Sequence, residues 1–170
     1  MNFLEQLVSE WYQYQDYYVR TNVRVGKRKG GGYEGELDVV AFDPRTKNIV
    51  HLETAMDGAP WEMRRRIFGA KFEKGRRFIP DIFPFAAKDS LQQVAVLCWP
   101  RKMAKHEPLG PGIKIKLLTE LIDEIALALS KAPIAIAVVP EGLPLLRAIQ
   151  FALDYGGYLP KKKPKGAGKA

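Results

Sequence analysis

The sequence predicts a mixed α/β domain, a central sheet flanked by helices. Three observations carry that expectation. A segment with helical spacing comes first and three β-patterned segments follow in a row. A second helical segment then precedes a fourth β-patterned run. The chain is 46% hydrophobic and 11% aromatic over 170 residues, enough to bury the core of one domain. Because three strands come before the second helix, the order α-β-β-β-α-β belongs to a mixed sheet and not to a doubly wound parallel one.

Residues 2–19 read as a helix, since Leu4, Leu7, Val8, Trp11, Tyr14 and Tyr18 recur at helical spacing and Asn2 suits its N-cap. The many aromatic side chains of this helix are read as core packing. Residues 19–25 alternate Val19, Thr21, Val23 and Val25 with Arg20, Asn22 and Arg24, the period of a strand. Lys27, Arg28 and Lys29, followed by Gly30, Gly31 and Gly32, form a basic, flexible turn. It is no phosphate loop: the Lys-Ser/Thr ending is missing and a strand, not a helix, follows. Strands at 36–42 and 49–55 are joined by residues 43–48, where Pro44 after Asp43 favours a tight turn and hence an antiparallel hairpin.

Pro60, at a helix's first position, opens a helix over 61–74 that Gly75 should end. A loop rich in Pro and Phe at 78–87 leads to a short apolar strand at 93–99. Ile113, Ile115 and Leu117 alternate with lysines as a fifth strand. A helix at 118–131, a buried strand at 134–139 and a helix at 143–154 complete a set of C-terminal β/α additions. One domain is expected over 1–159. Residues 160–170, low-complexity Lys, Pro, Gly and Ala, are expected to be a flexible basic tail.

Composition excludes several classes. The longest apolar stretch, 132–139, is interrupted by Pro133 and too short for a membrane helix, so no membrane partner is expected. The first ten residues carry acids where a secretory signal carries a basic region. Cys98 is alone, which forbids an internal disulfide and fits a reducing, cytoplasmic location. Ser9, Ser90 and Cys98 have no base in a recognisable arrangement, so nucleophilic catalysis has no support. The formal charge is +8, and it is unevenly spread. The tail has five lysines and no acid, residues 61–77 have seven basic and two acidic residues, and the remainder has fifteen basic and seventeen acidic. A polyanionic partner, nucleic acid, is expected at the 61–77 segment through Arg64, Arg65, Arg66, Lys74, Arg76 and Arg77. Lys27, Arg28 and Lys29 are either a clamp on the same backbone or an ordinary exposed turn.

The chemistry concentrates in the hairpin. If it is symmetric about Arg45 and Thr46, Phe42 faces Ile49, Val40 faces His51 and Asp38 faces Glu53. Two acids directly opposite are unfavourable, and burial worsens the conflict. Glu36, two residues before Asp38, is expected on the same face. A divalent cation such as Mg²⁺ or Mn²⁺ relieves the repulsion, because carboxylate oxygens with water are the ligands Mg²⁺ takes. The alternative is a solvent-facing sheet. His51 shares this face and is read as a satisfied structural residue.

Gly35-Glu36-Leu37-Asp38-Val39-Val40-Ala41-Phe42, a turn, and Ile49-Val50-His51-Leu52-Glu53-Thr54-Ala55 resemble the core of the PD-(D/E)XK phosphodiesterases. These are the restriction-endonuclease-like superfamily, which includes Holliday-junction resolvases. Over residues 2–99 the family's αβββαβ order is also the order read above. The resemblance implies a restriction-endonuclease-like fold, an Mg-dependent endonuclease activity, and Asp38 and Glu53 as metal-binding pair and catalytic residues. It places the family's first-helix glutamate on Glu5, or otherwise on Glu10. Glu5 also stands three residues after Asn2, where a capping-box acid belongs. The resemblance admits a homodimer, since cutting two strands takes two sites.

The motif should end Glu-X-Lys, and here Ala55 occupies the lysine position. Some members take that lysine from the next helix. Lys71 fits, since it follows Arg64 and Phe68 on one helical stripe, though a solvated surface lysine is the bland reading. The function expected is therefore a metal-dependent nuclease acting on nucleic acid, with DNA expected ahead of RNA as its substrate, in which Lys71 stabilises charge on the phosphorane. The alternative is a catalytically inactive, nuclease-like nucleic-acid-binding protein, or an interaction subunit docking through residues 78–87.

Overall fold

A computed structural model describes residues 2–85, 90–99 and 108–156. The basic tail and His106 lie outside the described residues. The elements are α1 (Phe3–Tyr14), β1 (Tyr18–Lys27), β2 (Tyr33–Phe42), β3 (Ile49–Ala55), α2 (Trp61–Ile82), β4 (Leu91–Leu97), β5 (Ile113–Leu117), α3 (Leu118–Leu129) and α4 (Pro144–Gly156). This is an α/β fold with a five-stranded mixed sheet in the order β1-β2-β3-β4-β5. The β1–β2 and β2–β3 pairs are antiparallel, while β3–β4 and β4–β5 are parallel. Where the sequence reads as one domain through residue 159, the chain divides between Leu118 and Thr119 into two compact units. No helix among the described residues is long and apolar enough to cross a membrane.

In the first unit every residue of β3 is buried, as expected of a strand covered on both faces. On one face α2 packs through Phe68, Phe72 and Ile79. Ala55 clusters with Phe68 and Phe72, and Val40 and Ile49 with Ile79. Val50 and Leu52 project to the other face, beside α1 with its fully buried Leu4, Leu7 and Val8.

The helix expected to stop at Gly75 runs on to Ile82, through Gly75 and Pro80. Gly75 is there for close approach, because a Cβ on it would clash with the His51 ring. The first eight residues of the expected 78–87 loop therefore divide between the end of α2 and the short stretch 83–85.

In the second unit, residues 134–139 form no strand, contrary to the sequence expectation. The buried side chain of Gln150 takes up their backbone groups instead. Its Oε1 accepts from Val139 N–H at 2.9 Å, and its Nε2 donates to the carbonyls of Ala132 and Ala137 at 2.7 and 2.8 Å. With those groups satisfied within a loop, Ile136 is left 80% exposed.

Candidate active site

The β2–β3 turn sets the register. Asp43 Oδ1 accepts from Arg45 N–H and Nε–H at 2.9 and 3.0 Å, and Oδ2 accepts from the Thr46 hydroxyl at 3.0 Å. Burial would raise the Asp43 carboxyl, but these donors and the Arg45 charge hold it below its ordinary range. The strands then pair Phe42 with Ile49, Val40 with His51 and Val39 with Leu52, in the register the symmetric turn predicts.

Past Val39 and Leu52 the β2–β3 ladder gives way to side chains. Thr54 N–H donates to Asp38 Oδ2 at 2.9 Å, and Asp38 N–H donates to Glu53 Oε1 at 3.4 Å. Meanwhile β3 continues its parallel pairing with β4 as far as Ala55 and Leu97. Two carboxylates are thus anchored by main chain where two strands part.

Lys71 enters from α2. Its Nζ lies 2.8 Å from Asp38 Oδ1 and 2.5 Å from Glu53 Oε2. The Glu53 side chain is wholly buried, whereas that of Lys71 is 32% exposed, so the group opens to solvent on the lysine side. Ala55, where the resemblance would place a lysine, lies in the apolar cluster with Phe68 and Phe72. A lysine stem there would displace this packing, while Lys71, beside Phe72 on the helix, brings an ammonium to both acids.

Burial, and next the charge of Glu53, raise the Asp38 carboxyl above its ordinary value against the pull of Lys71 and Thr54. Burial alone would raise Glu53 too, but the bond from His51 and the Lys71 charge hold it low. Burial works against the Lys71 ammonium, yet the two carboxylates raise its pKa. The surroundings thus pull the two acids in opposite directions, Asp38 toward its neutral form and Glu53 toward its anion, with Lys71 held as the cation.

Other expected members stand elsewhere. Glu5 is the capping-box acid: its oxygens accept from Asn2 N–H at 3.0 Å and Asn2 Nδ2 at 2.6 Å, and its own N–H donates to Asn2 Oδ1. Glu10 is buried and accepts from Gln6. Among the described residues no three His, Cys, Asp or Glu side chains form a metal-holding group, so neither glutamate joins Asp38 and Glu53. Glu36 is also absent from the site, half exposed and 3.9 Å from Arg24. The reason lies in β2. Gly35 abuts the Lys74 side chain and Leu37 clusters with Ile79, so positions 35 and 37 face α2. After Leu37 that face passes to Asp38 and Val40. The switch coincides with Asn22, whose φ of 50° takes the Asn22–Asp38 pair out of the β1–β2 ladder. Asn tolerates that conformation better than most residues, which is the signal in the sequence that the alternation alone misses.

Arg64 must also be withdrawn from the expected nucleic-acid contacts. It is 3% exposed and donates to the carbonyls of Trp99, at 3.1 Å, and Asp57. Arg65 pairs with Glu62 at 3.3 Å and Arg76 with Glu73 at 2.6 Å, while Arg66 is exposed. Lys74 lies against Gly35, and Arg77 pairs with Glu34 at 2.9 Å. Lys71, Lys74 and Arg77 therefore line one side of α2 from the carboxylates to the β1–β2 hairpin, whose turn exposes Lys27, Arg28 and Lys29.

No family model matches the chain, and no curated protein matches it. Among solved structures, the crystal structure of a protein of unknown function, AF1548, is similar, with 15% identity and a TM-score of 0.49, over 91% of this chain and 98% of that one. That likeness carries no weight for the chemistry of the site.

Proposed function

We propose that the chain is a metal-dependent nuclease of the PD-(D/E)XK, restriction-endonuclease-like class, hydrolysing phosphodiester bonds in nucleic acid, with DNA ahead of RNA as the expected substrate. The observation that carries the reading is the Lys71 ammonium within 2.8 Å of Asp38 and 2.5 Å of Glu53, at the point where β2 and β3 part. A purely structural role explains this group poorly. A buried ion pair is weak evidence for stability and is often matched by apolar packing, and such packing lies next door at Ala55, Phe68 and Phe72.

The donor set suits Mg²⁺ or Mn²⁺. Asp38 Oδ1 and Glu53 Oε2 are hard anionic oxygens converging on one cation. Among the described residues Glu53 Oε2 meets the ammonium as an ion pair, without an aligned hydrogen bond. Mg²⁺ is commonly held by one or two carboxylates with waters. Asp38 and Glu53 would hold it, and when bound it supplies a lowered pKa for the attacking water and neutralises charge on the phosphate.

The chain's own residues supply the rest. Lys71 places a fixed positive charge where the non-bridging oxygens gain charge as water attacks phosphorus and the bond to the leaving oxygen breaks. That oxygen departs with the proton the water gives up. Lys74, Arg77 and the Lys27–Lys29 turn contact flanking phosphates, which position the strand without reading its sequence. The protein incubated with supercoiled plasmid and with branched and single-stranded DNA, with and without Mg²⁺ or Mn²⁺, should cleave only with metal, and Asp38→Ala should not cleave. DNA binding with no metal-dependent cleavage on every substrate would return the chain to the alternative, an inactive nucleic-acid-binding protein.

A further inference from the structure

Glu53 is held from behind by a chain of buried polar groups that the proposed reaction does not use. His51 is fully buried, with Nε2 2.8 Å from Glu53 Oε1, and its ring packs edge-on against Phe72. Its other nitrogen, Nδ1, lies 3.4 Å from Gln93 Nε2, and Gln93 stands opposite His51 in the parallel β3–β4 ladder. The Gln93 amide is itself oriented, because Nε2 donates to the Phe72 carbonyl at 2.7 Å and Oε1 accepts from Arg76 Nη1 at 2.6 Å.

Only one arrangement of hydrogens satisfies all of these contacts. Arg76 has donors only, so Gln93 Oε1 must face it. Gln93 Nε2–H therefore points to Nδ1, which must accept, and the ring proton resides on Nε2 and is donated to Glu53. With Asp38 N–H on the same oxygen at 3.4 Å, Oε1 is committed inward and Oε2 is turned to the cation. The absence of a side chain at Gly75 makes room for the ring.

We infer that His51 is a positioning residue, its ring fixed by Gln93, that donates from Nε2 to Glu53 Oε1 and so presents Glu53 Oε2 to the cation beside Asp38. The inference rests on the proposed role of Glu53, and a partner that orients a ligating carboxylate typically changes metal affinity by 10- to 100-fold.

The test is made on the full chain, ¹⁵N-labelled, by two-bond ¹H–¹⁵N correlation near neutral pH. The sequence contains two histidines, so His106→Gln assigns the spectrum. His51 should show the pattern of a ring protonated on Nε2 alone. In Gln93→Met the pattern should become mixed, and Mn²⁺ binding, measured by titration calorimetry without DNA, should weaken about tenfold while circular dichroism stays native. A wild-type ring protonated on Nδ1, or on both nitrogens, overturns the inference, as does unchanged Mn²⁺ affinity in folded Gln93→Met. If that variant fails to fold, the wild-type ring pattern decides. If the wild type binds no Mn²⁺, the metal reading of the site fails, and the ring pattern alone then tests whether His51 orients Glu53.

Discussion

Replacing Lys71 with methionine keeps most of the aliphatic stem and removes the charge that two carboxylates share. At an effective dielectric near 20, each contact is worth roughly 4 kcal/mol or more before desolvation is counted. Removing one partner from a buried pair typically costs 3–5 kcal/mol net. Water reaches a third of the Lys71 side chain, which puts this case at the low end, about 3 kcal/mol near pH 8. The pH dependence has a definite sign. In the wild type the Lys71 pKa is raised, so its contribution is complete below its ordinary value of 10.5 and is lost as pH rises through the folded value. In Lys71→Met the Asp38 carboxyl, already raised by burial and by Glu53, rises further. The folded state then binds its proton first, and the deficit shrinks on acidification. Trp11, Trp61 and Trp99 all precede the division at Leu118, so urea denaturation followed by tryptophan fluorescence reports the unit that carries the site. A loss under about 0.5 kcal/mol near pH 8, or a loss that grows toward pH 5, would refute the reasoning.

Four further outcomes follow from the structure. Gly75→Ala should destabilise by about 2 kcal/mol although helix propensity alone favours alanine, because the new Cβ would meet His51; the same urea titration measures it. Gln150→Leu leaves Val139 N–H and two carbonyls without their partner, and should cost about 2–3 kcal/mol with faster hydrogen exchange at Val139. Arg64→Met should lower the urea midpoint while leaving DNA affinity unchanged in the folded protein, since Arg64 is committed to Trp99 and Asp57. Lys74→Ala should weaken DNA binding and reduce the salt slope by about 1.

The hairpin was legible because its turn chemistry is local: Asp43, Pro44 and Thr46 define the reversal, and the numbering of the pairs follows from it. Lys71 was legible through its helical spacing from Arg64 and Phe68. What escaped the sequence depends on contacts between distant segments. Gly75 resembles a helix stop until His51, 24 residues earlier, is seen to fill the space beside it. Residues 134–139 have a strand's composition, but Gln150 competes for their backbone groups. Glu36 leaves the expected face because β2 switches sides opposite Asn22, which a count by twos cannot register. Arg64 counted toward a basic surface because charge patterns carry no burial, and its donors are directed inward to main-chain carbonyls.

Single-turnover cleavage of end-labelled DNA with Mg²⁺, measured beside binding of the same DNA without metal, tests most directly whether Lys71 serves the reaction from α2 in place of the strand lysine. Lys71→Ala should lower the cleavage rate by about 100-fold or more, the size of effect removing one transition-state charge contact has elsewhere, while weakening binding only a fewfold. Equal losses in rate and affinity would make Lys71 a phosphate contact and nothing more, and an unchanged rate would contradict the account of the site.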